Sequence, residues 1–296
     1  MIKVTILGTA GSSPAKDRGM PSVALTYEGE TLLFDCGEGT QMQLLKFGVN
    51  PSKIKAIFLS HIHGDHVIGI AGLVRTMALN SRQDDLKIFV PAGSEKAVKS
   101  LLSFDKAIIS YEIKVIGMTR GEIYKAKDYS IRAFSLEHTI PTYGFAFKEK
   151  DKKRFIIEKC KKLGMKGVMF SEIQQKGSII INGKKVSIDS ITTVNPGRKI
   201  VYVTDTRPAR QTVTNAKNAD LIIHEASYMD SERNLASSRK HSTAKEAAQI
   251  AKKAGARKLV LTHISARYKD PQALLNDTKQ IFPNTIVAKD GYHIFI

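Results

Sequence analysis

Cysteine is almost missing from this chain. Cys36 and Cys160 are the only two, far apart and in no metal-type pair. A disulfide framework is therefore excluded, and a reducing compartment fits. Long hydrophobic runs are missing too: no stretch approaches the apolar length that a spanning helix requires. The opening Met1-Ile-Lys-Val-Thr-Ile-Leu-Gly8 reads as a strand entering a Gly/Ser turn, without the basic region, apolar core and cleavage site of an export signal. A soluble, cytoplasmic chain with no membrane contact is expected. Acidic residues are scarce, 28 Asp+Glu against 46 Lys+Arg, for a formal charge of +18. Such an excess suits either a lysine-rich surface or a polyanionic partner. Its distribution favours the partner, because Lys148 to Lys185 hold twelve Lys/Arg against four Asp/Glu. A concentrated basic segment is what a polyphosphate ligand requires.

What is present centres on Ile57-Phe-Leu-Ser-His-Ile-His-Gly-Asp-His-Val-Ile-Gly69. The apolar run Ile57 to Leu59, bounded by Ser60 and a Gly-containing turn, reads as a buried strand. His61 and His63, two apart at a strand end, project to the same side and can share an ion. Gly64 permits a sharp turn, so that Asp65 and His66 at the start of a helix can face a second ion beside the first. H-x-H-x-D-H is the form of a two-metal hydrolase centre.

Around this stretch strands and helices alternate. Residues 2–7, 22–35, 86–91, 111–116, 130–136 and 199–204 read as strands, as do 220–223 and 259–261. Helices are expected after Gln41 with Leu44, Leu45 and Phe47 on one face, from Val67 to Asn80, and from Ser94 to Ser103 with Ala97, Val98, Leu101 and Leu102 inward. Another is expected over 244–254, closed by Gly255. With no internal repeat, this pattern indicates a layered α/β protein of 296 residues. Strand ends gather at one sheet edge, where His138, Asp205 and His263 each follow a strand. Asp205 stands where a bridging carboxylate could touch both ions. Asp35, at another strand exit, is expected to hold a backbone group or a ligand histidine. The loop Gly8-Thr-Ala-Gly-Ser-Ser-Pro14 is either a turn or a weak phosphate cradle. Residues 148–182, with alternating charge, small apolar groups and Gly164, Gly167 and Gly177, suit a protruding arm rather than core. Asn182-Gly183 signals a hairpin.

Taken together, Gly8-Thr-Ala-Gly with Pro14, Phe34-Asp-Cys-Gly-Glu-Gly-Thr-Gln41, Ser60-His-Ile-His-Gly-Asp-His66, Glu137-His138, Thr204-Asp-Thr-Arg-Pro208, His224-Glu-Ala-Ser227, His241-Ser-Thr243 and Thr262-His263 resemble the ribonuclease Z family. These are tRNA 3'-processing endonucleases of metallo-β-lactamase fold, here in the short form. The resemblance implies an α/β fold, an αββα four-layer sandwich of two mixed β-sheets forming one domain over residues 1–296. A flexible basic arm at about 148–182 would be inserted in it. It also implies two zinc ions, with manganese as an alternative. His61, His63 and His138 would hold one ion and Asp65, His66 and His263 the other, with Asp205 bridging. A homodimer and a precursor tRNA substrate are implied, the arm gripping tRNA through Lys161, Lys162 and Lys166. The stretch Leu163-Gly-Met-Lys-Gly-Val-Met169 departs from the family's Gly-Pro-rich arm in having no proline.

The chemistry so implied is attack by a metal-activated water on the phosphodiester after the discriminator nucleotide. Asp65 would act as general base and His241 as general acid to the departing 3'-oxygen, with Glu225 holding the imidazole. A tRNA 3'-hydroxyl and a 5'-phosphate trailer would result. A small-molecule hydrolase of the same fold would need no basic arm. An RNA-binding protein without catalysis would have no use for the complete ligand set.

Overall fold

The computed structural model describes residues 1–103 and 109–296. These form two compact units, one of residues 1–148 with 199–296 and one of Glu149–Arg198.

The larger unit holds two seven-stranded sheets. In the first, the order across the sheet is His293–Phe295, Ile2–Gly8, Ser22–Tyr27, Glu30–Phe34, Ile54–Phe58, Leu86–Pro91, Ile113–Met118. Antiparallel pairing at the terminal side gives way to parallel pairing from Glu30–Phe34 onward. The second runs Thr285–Val287, Leu259–Thr262, Leu221–Glu225, Lys199–Val203, Tyr143–Glu149, Tyr129–Ser135, Gly121–Lys125, parallel on one side and antiparallel on the other.

Side-chain alternation explains the layering. Leu32 and Phe34 face the apolar seam between the sheets, whereas Leu33 joins Leu44, Leu73, Val74 and Met77 beneath the helices of the first sheet. Likewise Leu221 and Ile223 enter the seam while Ile222 packs with Ala247, Ala248 and Ala251 of the Ala244–Ala254 helix. The result is an α/β sandwich, αββα, with two mixed sheets inside. Aromatic rings fill the seam: Phe58 stacks on Phe34 at 5.4 Å and on Phe89 at 5.0 Å, each pair adding about 1 kcal/mol beyond simple burial.

Several expectations are corrected. Leu45 and Ala97 are exposed, so the Thr40–Lys46 and Glu95–Leu102 helices bury narrower stripes than the pattern suggested. The helix expected over 67–80 is two, Gly64–Val67 and Ile70–Leu79.

The smaller unit extends to Arg198, beyond the boundary near 182, because Lys152–Phe155 pairs with Thr192–Asn195. It contains the helices Ile157–Lys162 and Gly167–Lys176 and the hairpin Ser178–Ile181 with Lys184–Ser187. It also has an apolar cluster of its own, where Cys160, Ile173, Ile181 and Ile191 meet Phe155 and Phe170.

Candidate metal centre

The candidate metal ligands lie just beyond strand ends or on the short helix that follows one, whereas His241 lies in the loop between the Arg233–Ser238 and Ala244–Ala254 helices. Ile54–Phe58 delivers His61 and His63, and the short Gly64–Val67 helix delivers Asp65 and His66. Tyr129–Ser135 leads to His138, Lys199–Val203 to Asp205, and Leu259–Thr262 to His263. These residues converge. One donor group comprises His61, His63, His138 and Asp205, and another comprises Asp65, His66 and His263, the ligand atoms of each lying within 4.8 Å of one another. Nδ1 of His63 lies 3.0 Å from His61 Nε2 and 3.4 Å from His138 Nε2. Oδ2 of Asp205 is 3.7 Å from the Nε2 atoms of both His61 and His138. Its Oδ1 is 3.4 Å from His66 Nε2 and 3.0 Å from His263 Nε2, and Asp65 Oδ2 is 3.4 Å from His66 Nε2. Each oxygen of Asp205 therefore serves a different group.

Whether a metal suits these atoms is decided by the outward nitrogens. His66 Nδ1 donates to Asp35 Oδ2 at 2.8 Å, and His138 Nδ1 donates to the carbonyl of Lys240 at 3.2 Å. Both partners can only accept, so each neutral ring turns a bare Nε2 lone pair inward. His61 and His263 have their Nδ1 atoms 2.9 Å from Ser60 Oγ and Ser227 Oγ. Inward lone pairs and carboxylate oxygens within 3–4 Å repel unless positive charge lies between them. Imidazole and carboxylate donors suit zinc or manganese.

The electrostatics agree. Burial alone would depress His263, but Asp205 and Asp65 push it up to about 10. His66 is likewise raised against its burial, by Asp205 and Asp35. Burial would raise Asp205, yet His263 and His66 hold it well below the usual carboxylate range. Protons here occupy positions that a cation would take, and metal binding would release them.

Beside this cluster His241 Nδ1 lies 3.1 Å from Oε1 of the fully buried Glu225. Glu225 also accepts from Ser227 Oγ at 2.7 Å and from the Ser242 amide at 3.1 Å. Burial lowers His241, but Glu225 more than offsets this and keeps its affinity for protons above the ordinary value. The His241 ring is centred 5.2 Å from that of His138 and 5.5 Å from that of His263, and one of its nitrogens is within reach of Asp205 and His263.

Asp35 accepts four hydrogen bonds, from the Ser60 amide, Ser60 Oγ, His66 Nδ1 and Tyr202 OH. The Gly8–Pro14 loop acts as a buttress: the Ser12 amide donates to Asp65 Oδ2 at 3.0 Å. A side chain at Gly11 would meet His263 Nδ1 at 2.6 Å, so only glycine allows that approach. Lys161, Lys162 and Lys166 are exposed in the smaller unit.

Sequence reasoning assigned no role to Ser12, Tyr202 or Ser227. The available signals are the place of Ser227 inside the His-Glu-Ala-Ser motif and the polar tip of Tyr202 among Ile200, Val201 and Val203. Ser12 acts through its backbone, which no residue type reveals.

Comparison with known proteins adds the family. The family model described as "Anti-Pycsar protein Apyc1" matches residues 2–180, and that of the "Beta-lactamase superfamily domain" matches residues 180–264. Ribonuclease Z of Methanosarcina acetivorans is 40% identical over 98% of this chain and 96% of its own length. Ribonuclease Z of Gemmatimonas aurantiaca is 40% identical over 98% and 95%. Among solved structures, human tRNase Z, short form, superposes with a TM-score of 0.74 at 28% identity, over 99% of both chains. Matched end to end by proteins of that name and folded as two mixed sheets between helical layers, the chain belongs to the ribonuclease Z family of the metallo-β-lactamase fold.

Proposed function

We propose that this enzyme is a zinc-dependent endoribonuclease that removes 3' trailers from tRNA precursors, cutting after the discriminator nucleotide. The observation that carries the proposal is the division of Asp205 between two donor groups, one oxygen to each. His61, His63 and His138 would hold one ion and Asp65, His66 and His263 the other, with Asp205 between them and manganese able to replace zinc. A pair of divalent ions there would supply Lewis acidity and a water acidic enough to deprotonate near neutral pH.

The chain's own residues supply the rest. Asp65 takes up the proton of the attacking water. Its Oδ2 faces the donor cluster, while Oδ1 has no hydrogen-bond partner among the described residues. His241, kept protonated by Glu225, gives a proton to the departing ribose 3'-oxygen, which is too basic to leave unassisted. A tRNA 3'-hydroxyl and a 5'-phosphate trailer result. The +8 carried by residues 148–185 supports a polyanionic substrate over a small one, with Lys161, Lys162 and Lys166 as phosphate contacts. The chain works in the cytoplasm as a homodimer. Met42 and Leu45, exposed on the Thr40–Lys46 helix, offer apolar surface for that contact.

Incubation with a 3'-extended tRNA precursor and zinc or manganese tests the reading. Cleavage just after the discriminator base is expected; binding without cleavage, or no binding, would overturn it.

A further inference from the structure

Arg207 lies two residues beyond Asp205 and is largely hidden, with 15% of its side chain exposed. Its guanidinium makes three hydrogen bonds to protein acceptors. Nη1 donates to Glu246 Oε2 at 2.8 Å and Nη2 to Oε1 at 2.6 Å, a bidentate fork, and Nη1 also donates to the backbone carbonyl of His241. Glu246 in turn accepts from the Thr243 amide at 3.0 Å, in the capping box that starts the Ala244–Ala254 helix. The Arg207 amide donates to the carbonyl of Glu137, the residue before His138. One residue thus ties together two strand exits, those bearing His138 and Asp205, and the interhelical loop bearing His241.

We propose that Arg207 is a positioning residue for proton delivery. It acts through the His241 carbonyl and Glu246 to hold the His241 ring between Glu225 and the donor cluster. The inference rests on His241 being the acid, as argued above. Nη1 has both its hydrogens on the His241 carbonyl and Glu246 Oε2, and Nη2 is turned to Glu246 Oε1, so the terminal nitrogens face protein acceptors. Only arginine satisfies this geometry, since a lysine ammonium is a point charge without the planar fork.

Leaving-group chemistry separates positioning from plain structural support. A ribose 3'-oxygen requires a proton to leave, whereas the p-nitrophenolate of bis(p-nitrophenyl) phosphate does not. Arg207→Lys, and Arg207→Met combined with Glu246→Gln so that no buried carboxylate is left alone, are assayed with precursor tRNA and with the aryl diester. His241→Ala serves as the reference. The ratio of RNA to aryl turnover is expected to fall about 100-fold in the Arg207 variants, the scale of a misplaced catalytic group. In a His241→Ala background Arg207→Lys should add almost nothing to that fall. Equal loss on both substrates, or a full additional loss in the double variant, overturns the proposal. If His241→Ala itself leaves the ratio unchanged, the assignment of the acid fails instead. Metal content and thermal midpoint, measured for each variant, identify any that has merely lost its fold.

Discussion

Replacing Asp35 by Asn is the most informative perturbation of the donor cluster, because it changes charge and hydrogen-bond sense while leaving shape and backbone alone. Asp35 has φ +56°, a left-handed conformation that asparagine tolerates, so backbone strain does not confuse the result. The carboxylate accepts one bond on Oδ1, from the Ser60 amide, and three on Oδ2, from Ser60 Oγ, His66 Nδ1 and Tyr202 OH. An asparagine keeping its oxygen toward the three donors turns its NH2 onto the Ser60 amide, donor against donor. Flipped, it turns NH2 onto His66 Nδ1, and the ring must then carry its proton on Nε2, the atom that faces the cluster. Three charge-assisted bonds becoming neutral lose about 1 kcal/mol each, and one buried donor left unpaired costs about 1–3 kcal/mol. Relief from burying a charge offsets part of this, leaving about 3 kcal/mol net. Metal affinity should fall about 10- to 100-fold, as when a ligand's outer partner is removed. Chelator competition with metal analysis reads the affinity, and thermal unfolding of the chelated protein reads the stability. An Asp35→Asn protein with unchanged metal affinity and unchanged thermal midpoint would refute the account of how His66 is oriented.

Asp205→Ala removes an oxygen from both donor groups and should lower the number of ions bound per chain as well as abolish turnover, which metal analysis after gel filtration checks. His241→Ala should retain its metal and lose about 10²- to 10⁴-fold in RNA cleavage, measured in single-turnover assays. Glu225→Gln removes what holds His241 above its ordinary pKa. Because a raised pKa extends the protonated form to higher pH, the alkaline fall in rate should move to lower pH in this variant, and an unmoved profile contradicts the pairing. Replacing Lys161, Lys162 and Lys166 together by Ala should flatten the log-log salt dependence of tRNA binding by roughly 2–3 units, about one for each phosphate no longer neutralised. An unchanged slope would remove these lysines from the RNA surface.

The parts of the centre legible in the sequence are those whose geometry is local. Two histidines on one strand end and an Asp-His pair after a glycine turn need only the strand period and one tight turn. His138, Asp205 and His263 were legible as strand exits, but their meeting depends on pairings such as Val203 with His224 and Glu225 with Thr262, which bring distant segments into register. Groups that act through the backbone left no trace: the Ser12 amide on Asp65, the Lys240 carbonyl on His138, and the His241 carbonyl under Arg207. In the lysine-rich stretch, glycines obscured the helices they terminate. Gly164 (φ +67°) and Gly177 (φ +73°) lie at the C-terminal ends of Ile157–Lys162 and Gly167–Lys176, as helix stop signals rather than loop markers. Read that way, Cys160 and Ile173 become core residues of a small folded unit.

Backbone conformation connects the sheet edge to its chemistry. Asp35, Asp205 and His263 have φ of +56°, +35° and +54°, and each lies within two residues of a strand end. Such conformations cost of order 1–3 kcal/mol for a residue with a side chain. They persist because the next atoms are pinned. Asp35 accepts four donors, Asp205 Oδ1 accepts from Thr204 Oγ1 at 2.7 Å, and His263 Nδ1 lies 2.9 Å from Ser227 Oγ. A strand continuing in extended form would carry these side chains past the edge on alternating faces. The left-handed step ends the strand and redirects its next side chain. Three strands thereby turn side chains toward one cluster, and the hydrogen bonds of the sheet edge keep them there.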